Sequence, residues 1–290
     1  MDATVIYHPG KVGNIERFTS LIRRVARSHG YDVEFIATHS DMDMAQLVST
    51  RQASLFIAAG GDGTVRAVAQ ACPEGIAMGI IPMGTGNIIA RNLGIPLDFA
   101  QSIQVAFSSR QRLCDKVKVE VDGHFSTVYL GIAGIGFDAA VMEATCENLK
   151  GVIGPAAYIA GFYDARQKFR PIKISIAIDD GTWETIRAVV MMVGNMPKLM
   201  GVPLFPRAKM DDGLLDVAFA LPQSPSGWMR LCAAIISRIR RPHVIDYRQG
   251  RKITLKIDEP VPWEADGDLM GKGSEFSFEV IGTIPIHVME

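Results

Sequence analysis

Up to about residue 111, short apolar runs take turns with segments whose apolar residues recur every three or four positions. Ala3 to Tyr7 reads as a strand, and Ile15, Phe18, Ile22 and Val25 follow at helical spacing as far as Gly30. Tyr31 to Thr38 alternates as a strand does, and Asp41 or Asp43 can cap a helix through Val48 and Arg51. The buried-strand run Leu55 to Ala59 precedes a helix from Val65 to Ala71. Ile76 to Ile81 precedes one from about Ile88, and Asp98 can cap a further helix reaching Phe107. Strand and helix alternating at these lengths predict a parallel sheet with right-handed crossovers.

Near Arg112 the period becomes two. Val117 to Val121 and Phe125 to Ile132 alternate on either side of Asp122-Gly123, a strong hairpin signal. The signal returns at Asp180-Gly181, between Ile172 to Ile178 and Thr185 to Val193. Further strand-like runs are Leu214 to Ala220, Lys252 to Ile257 and Glu275 to Val280. Residues 137–150 and 156–169 read as helices, broken apart by Gly151 and Pro155. The fold class expected is therefore α/β: a Rossmann-like parallel-sheet domain over 1–111, then a mainly antiparallel β-sandwich over 112–275. A last segment, 276–290, is expected to pack back on the first domain.

Two loops interrupt the apolar runs with chemistry that packing does not call for. Leu55 to Ala59 ends in Gly60-Gly61-Asp62-Gly63-Thr64, and Ile80-Ile81 ends in Pro82-Met83-Gly84-Thr85-Gly86-Asn87. Glycines free the backbone to turn and to present N–H groups, and a helix N-terminus favours an anion. Thr64 is placed to cap the following helix or to bind a phosphate oxygen. Two such loops at the C-terminal ends of neighbouring parallel strands face one crevice, the usual nucleotide position in an open sheet. The bland alternative for either loop is an ordinary strand-to-helix turn.

The chain has 290 residues with 48% hydrophobic content, enough for two cores, and a formal net charge of −1. Cys72, Cys114, Cys146 and Cys232 are scattered with no C-x-x-C pair, which indicates neither a zinc site nor a disulfide framework and suits a reducing cytoplasm. The N-terminus, with its acidic Asp2 and no long apolar stretch, reads as a first strand and not as a signal peptide. No apolar run approaches the roughly 20 residues of a spanning helix. From Gly227 to Lys256, however, Arg230, Arg238, Arg240, Arg241, Arg248, Arg251, Lys252 and Lys256 face the lone Asp246. Trp228, Leu231, Cys232, Ile235, Ile236 and Ile239 share one helical face there, bounded by Pro225 and Pro242. Such a helix suits an anionic membrane surface, or else it packs on the core with a solvated basic face. No nucleic-acid motif accompanies the charge, so no nucleic-acid partner is expected.

Taken together, GGDGT at Gly60 to Thr64, PMGTGN at Pro82 to Asn87, GIGFDA at Gly134 to Ala139, GN at Gly194-Asn195, KMDDGLLDV at Lys209 to Val217 and ADGD at Ala265 to Asp268 resemble the bacterial diacylglycerol kinase-like lipid kinases. The resemblance runs in order over nearly the whole chain. GGDGT alone is shared with NAD kinases and, more loosely, with phosphofructokinases; the later motifs carry the lipid kinase likeness. The family fold, a nucleotide-binding α/β domain followed by a β-sandwich, agrees with the periodicity.

The resemblance implies that ATP is bound by Thr38, by Gly60, Gly61, Asp62, Gly63, Thr64, Val65 and Arg66 of the first loop, and by Gly84, Thr85 and Asn87 of the second. It gives Asp62 a part in the magnesium-triphosphate geometry. It implies a structural Mg2+ held by Asp212 and the carbonyls of Lys209 and Leu214, and hard oxygen ligands suit that ion. Asp266 is implied as the base toward the lipid hydroxyl, with Asp268 in the third position of the D-G-E motif, a shorter arm than Glu. A strand through 261–268 puts Glu264, Asp266 and Asp268 on one side, whereas an Asp266-Gly267 hairpin turn sends its acids to solvent. Two further departures are Ile88, where many relatives carry Asp, and His8-Pro9-Gly10-Lys11-Val12-Gly13 in place of N-P-x-S-G. No P-loop motif is present.

The activity so implied is transfer of the ATP γ-phosphoryl group to a lipid hydroxyl, most naturally that of diacylglycerol, by a cytoplasmic enzyme working at a membrane surface. The resemblance is compatible with a homodimer. A soluble kinase of NAD or a small alcohol and a non-catalytic nucleotide sensor are the alternatives; turnover on lipid, on NAD or on neither distinguishes them.

Overall fold

The computed structural model describes residues 1–39, 42–136, 171–199, 202–220 and 245–289. The helices expected over 137–150, 156–169 and 224–241, together with Asp41, lie outside the described residues. The chain divides into two compact units, Met1–Lys116 with Gly282–Glu290, and Val117–Ile281.

In the first unit, β1 (Asp2–Tyr7), α1 (Ile15–Ser28), β2 (Asp32–Ala37), α2 (Met44–Ser49), β3 (Leu55–Gly60), α3 (Asp62–Ala71) and β4 (Ala77–Pro82) alternate, and α4 (Ile88–Leu93) and α5 (Phe99–Ala106) follow. The four strands are parallel in the order β4-β3-β1-β2. Two helices start on aspartates that the sequence marks as caps. Asp43 accepts from the Gln46 amide at 3.0 Å and Asp98 from the Gln101 amide at 2.9 Å, each worth about 1 kcal/mol. Alternate strand residues (Ala3, Val5, Leu55, Ile57, Ala59, Ala77, Ile81) bury one face of the sheet with Phe18, Ile22 and Val25 of α1 and Ile103 and Ala106 of α5. The approach of α5 depends on a missing side chain, since a Cβ on Gly79 would stand 2.6 Å from the Ala106 carbonyl oxygen.

The second unit is mostly antiparallel. It is built from the end of β5 (Gln111–Val121), β6 (Phe125–Tyr129), β7 (Ile132–Gly136), β8 (Ile172–Ile178), β9 (Glu184–Ala188), β10 (Val190–Gly194), the short β11 (Lys198–Leu199) and β12 (Val202–Pro203), β13 (Leu215–Ala220), β14 (Ile245–Gly250), β15 (Lys252–Ala265) and most of β16 (Asp268–His287). Strands β14-β13-β10-β7-β15 are neighbours in that order, and β15 pairs further with β8 and β16. Met191, Val193, Leu215, Val217 and Phe219 enter one core with Trp263, Phe276 and Phe278. Their neighbours Val190, Met192, Ala218 and Ala220 enter another with Phe205. Both faces of β10 and β13 are thus covered, which is why these runs read as continuously apolar.

Three local expectations are corrected. The run Thr185 to Val193 is two strands, interrupted at Val189. The second hairpin turns on Asp179 and Asp180, at φ 51 and 57, one residue ahead of the pair chosen from the sequence; Asp tolerates the left-handed region that such turns need. Lys252 to Ile257 and Glu275 to Val280 are pieces of one long hairpin, β15 and β16, whose tip is Asp266-Gly267.

The chain end belongs to the first unit. Ile286 pairs parallel with Met78, the Val288 amide donates to the Arg110 carbonyl at 3.0 Å, and Ser108 Oγ donates to the Val288 carbonyl at 3.0 Å. His287, 2% exposed, sets Nδ1 at 2.8 Å from the Ala106 carbonyl oxygen.

Candidate active site

Because β1 to β4 are parallel and in register, their C-terminal ends share one edge of the first unit. The His8 amide donates to the Ala59 carbonyl at 3.1 Å and the Thr38 amide to the Tyr7 carbonyl at 2.8 Å. This places half-buried Thr38 on the edge that carries both glycine loops.

The first loop is shorter than the sequence suggests. Helix α3 begins at Asp62, not at Val65, and its N-cap is Gly61, which offers no side chain. Asp62, Gly63 and Thr64 are therefore the first helical turn, and Thr64 is not the cap. Gly60 has no room for a Cβ, which would overlap the Thr64 side chain. Gly61 lies at φ −85, a value open to any residue, and a Cβ there would meet the Gly84 Cα at an ordinary contact distance of 3.4 Å. Val65 is buried and its amide donates to the Gly61 carbonyl at 3.1 Å. The Thr64 amide donates to the same carbonyl at 3.0 Å, so the Gly61 carbonyl anchors the first turn of α3. Arg66 is half-buried on the same helix.

The second loop is fastened to the first. The Met83 amide donates to the Gly60 carbonyl at 2.8 Å. Gly84 abuts Gly61, and a Cβ on Gly84 would be 2.7 Å from the Gly61 Cα. Asn87, left-handed at φ 46 and 7% exposed, closes the loop on itself: its Oδ1 accepts from the Gly84 amide at 2.9 Å and its Nδ2 donates to the Gly84 carbonyl at 2.8 Å. Asp62 Oδ1 accepts from the Ile89 amide at 3.4 Å. Thr85 stays exposed at the loop tip. Ile88, the departure noted in the sequence, is buried and serves packing. Here the side chains of Asp62 and Asn87 hold the loops, a task that their place in the motifs did not reveal.

In the second unit, Asp266 and Gly267 take φ 49 and 86 and form the two-residue turn between β15 and β16. Of the three acids expected on one strand face, Glu264 ends up 4% exposed and accepts from the Gly267 amide at 2.8 Å. Asp266 is 1% exposed. Its carboxylate accepts the amides of Leu130, Gly131 and Ile132 at 3.1, 2.8 and 3.1 Å, bonds worth roughly 1.5–3 kcal/mol each when the acceptor is charged. Asp268 opens β16 and is half-buried. Tyr129 lies beneath, fully buried, with its hydroxyl donating to the Val193 carbonyl at 3.3 Å. Burial, then the charges of Asp266 and Glu264, push its phenol well above the usual range.

The remaining candidates form a turn before β13. Asp212 Oδ1 accepts from the Leu214 amide at 3.2 Å, Gly213 is left-handed at φ 70, and Lys209 is exposed. Asp216, 4% exposed, is pushed up to about 6 by burial, and the charge of Asp212 adds to the effect, while Gln249 and Arg207 oppose it. No cluster of three or more His, Cys, Asp or Glu suited to a metal occurs among the described residues.

Residues 2–119 match the diacylglycerol kinase catalytic domain, and residues 131–283 match the YegS C-terminal NAD kinase beta sandwich-like domain. A diacylglycerol kinase of Staphylococcus haemolyticus is 26% identical over 281 residues, covering 93% of this chain and 83% of that protein. A Pseudomonas aeruginosa protein named probable lipid kinase YegS-like is 31% identical over 221 residues, covering 74% and 70%. The fold is that of a Bacillus anthracis diacylglycerol kinase, with TM-score 0.77, 20% identity and coverage of 99% and 96%. More distantly it is that of an Archaeoglobus fulgidus NAD kinase solved with ATP, with TM-score 0.52, 13% identity and coverage of 99% and 93%. The motifs, the parallel nucleotide-type sheet and the antiparallel second unit agree with these matches, and the chain belongs to the diacylglycerol kinase and YegS-like family of lipid kinases.

Proposed function

We propose that this lipid kinase transfers the γ-phosphoryl group of ATP to the free hydroxyl of diacylglycerol, giving phosphatidic acid. The observation that carries the donor half is the pair of fused glycine loops, Gly61 against Gly84, at the N-terminus of the ten-residue helix α3. Backbone amides and the helix end give the triphosphate a fixed, positively polarised seat that does not reorganise as charge develops. Thr38 and Thr85 stand on the same edge and complete it.

Phosphoryl transfer also needs an acceptor for the hydroxyl proton. Asp268 takes that role in our reading because it is half-buried, whereas Asp266 is enclosed and bonded to three amides. The shorter Asp in place of the family's Glu changes reach and keeps the carboxylate chemistry. We assign a Mg2+ to Asp212 and the carbonyls of Lys209 and Leu214, a set of hard oxygens beside the second carboxylate, Asp216. Such an ion supplies charge compensation for the two acids and stiffens the turn before β13. No helix among the described residues is long and apolar enough to cross a membrane, and the lipid is met at a membrane surface from the cytoplasmic side.

The test is Asp268→Asn, which keeps shape and removes the proton acceptor. Diacylglycerol phosphorylation should fall about 10²-fold or more with ATP affinity and melting temperature little changed. Near-normal turnover contradicts the assignment.

A further inference from the structure

The motif Gly194-Asn195 meets the corner Leu130-Gly131-Ile132 between β6 and β7. The corner has six backbone polar groups, and each is bonded to one of two residues. Asp266 takes the three amides, Leu130 on Oδ2 and Gly131 and Ile132 on Oδ1, and its own amide donates to the Ile132 carbonyl at 2.9 Å. Asn195 takes the other two carbonyls: its Nδ2 donates to Leu130 at 3.1 Å and its amide to Gly131 at 2.8 Å. Asn195 is 0% exposed. A Cβ on Gly131 would stand 2.5 Å from Asp266 Oδ1, so the corner fits its partner only as glycine.

A carboxylate enclosed in this way meets no substrate hydroxyl. What it does instead is tie the hairpin tip, two residues before Asp268, to the corner and through it to β10. We propose that Asp266 is a positioning residue and not the proton acceptor: with Asn195 it clamps the 130–132 corner to the 264–268 turn and so fixes where Asp268 stands. The inference rests on the reading of Asp268 as acceptor. Truncating either partner leaves buried backbone groups unpaired, which loosens the corner without removing the acceptor.

The acid limb of the pH profile of kcat/KM reports the ionisation of the acceptor. Asp266→Asn keeps the shape but sets an amide donor against an amide donor. Its kcat for diacylglycerol in mixed micelles should fall about tenfold, with the limb retained and the KM for ATP unchanged. Asn195→Ala, which removes no carboxylate, should reproduce that result. Asp268→Asn should lose the limb. Hydrogen exchange at 130–132, measured by mass spectrometry on the whole protein without substrate, should quicken about tenfold or more in Asp266→Asn and Asn195→Ala and stay unchanged in Asp268→Asn.

Loss of the limb in Asp266→Asn with its retention in Asp268→Asn overturns the proposal. So does unchanged exchange in Asn195→Ala, a result that stands even if Asp266→Asn fails to fold. Faster exchange in both clamp variants, with a retained limb in Asp268→Asn, leaves the clamp in place and removes Asp268 as acceptor.

Discussion

Asp62 Oδ1 lies 3.4 Å from the Ile89 amide, so the acid of the first glycine loop caps the helix that follows the second. The bond is long, and its main effect is to hold two loops in one arrangement. Asp62→Ala should therefore weaken ATP binding about tenfold while shifting the melting temperature by only a few degrees, as expected for loss of one long hydrogen bond. Asp62→Asn, which keeps an acceptor oxygen, should lie between the two. Calorimetric ATP titration of the three proteins checks the order; equal affinities would show that the loops hold each other without this contact.

Glycine at position 84 is required by space. The Cβ of an alanine there would sit 2.7 Å from the Gly61 Cα, backbone against backbone, with no flexible side chain to give way. Gly84→Ala should cost ATP affinity by roughly tenfold or more and leave the second unit folded. For Gly61→Val the same contact acts from the other side, because a Cβ on Gly61 would be 3.4 Å from the Gly84 Cα and valine adds two methyls beyond it. Unchanged ATP affinity in both would return this pair of loops to ordinary turns.

His287 makes stability depend on pH. Burial lowers its pKa from 6.5, against the opposing effect of the Ala106 carbonyl. The native state thus holds the imidazole neutral more firmly than the unfolded chain does. That contribution is complete above about 6.5 and is lost as pH falls through the lower, native value. Thermal unfolding between pH 7.5 and 5, with His287→Gln as reference, should show the wild type losing more stability on acidification than the variant. Parallel curves would mean that the chain end does not report on this histidine.

Gly194 permits no side chain, since a Cβ there would overlap the Phe205 ring. Gly194→Ala should destabilise the second unit by about 1–3 kcal/mol, the usual cost of overpacking, visible as a lower denaturation midpoint at unchanged ATP affinity. A neutral effect would mean that Phe205 can rotate away.

The strand and helix grammar of the first unit was legible because every signal was local: Asp43 and Asp98 as caps, and apolar runs ending in glycine. Asp122-Gly123 likewise announced its hairpin, adopting φ 51 and 72. What stayed hidden depends on partners distant in sequence. Asp266 reads as a strand acid or, less readily, as an exposed turn acid, and only its bonds to residues more than 130 positions away settle that it is a buried turn acid. The two bonds from the Asn87 side chain to Gly84 are likewise invisible in the motif. The start of α3 was misplaced because Gly61 caps the helix with no side chain, so no residue type marks it.

The acceptor of the phosphoryl group in the proposed reaction is a lipid hydroxyl. The most direct measurement is the identity of the labelled product after incubation with γ-labelled ATP and Mg2+, in parallel with diacylglycerol in mixed micelles, with NAD, and with neither. Label in phosphatidic acid, absent from the NAD reaction and abolished by Asp268→Asn, is the predicted result. Label in NADP with none in lipid, or ATP binding with no labelled product in any reaction, would contradict it.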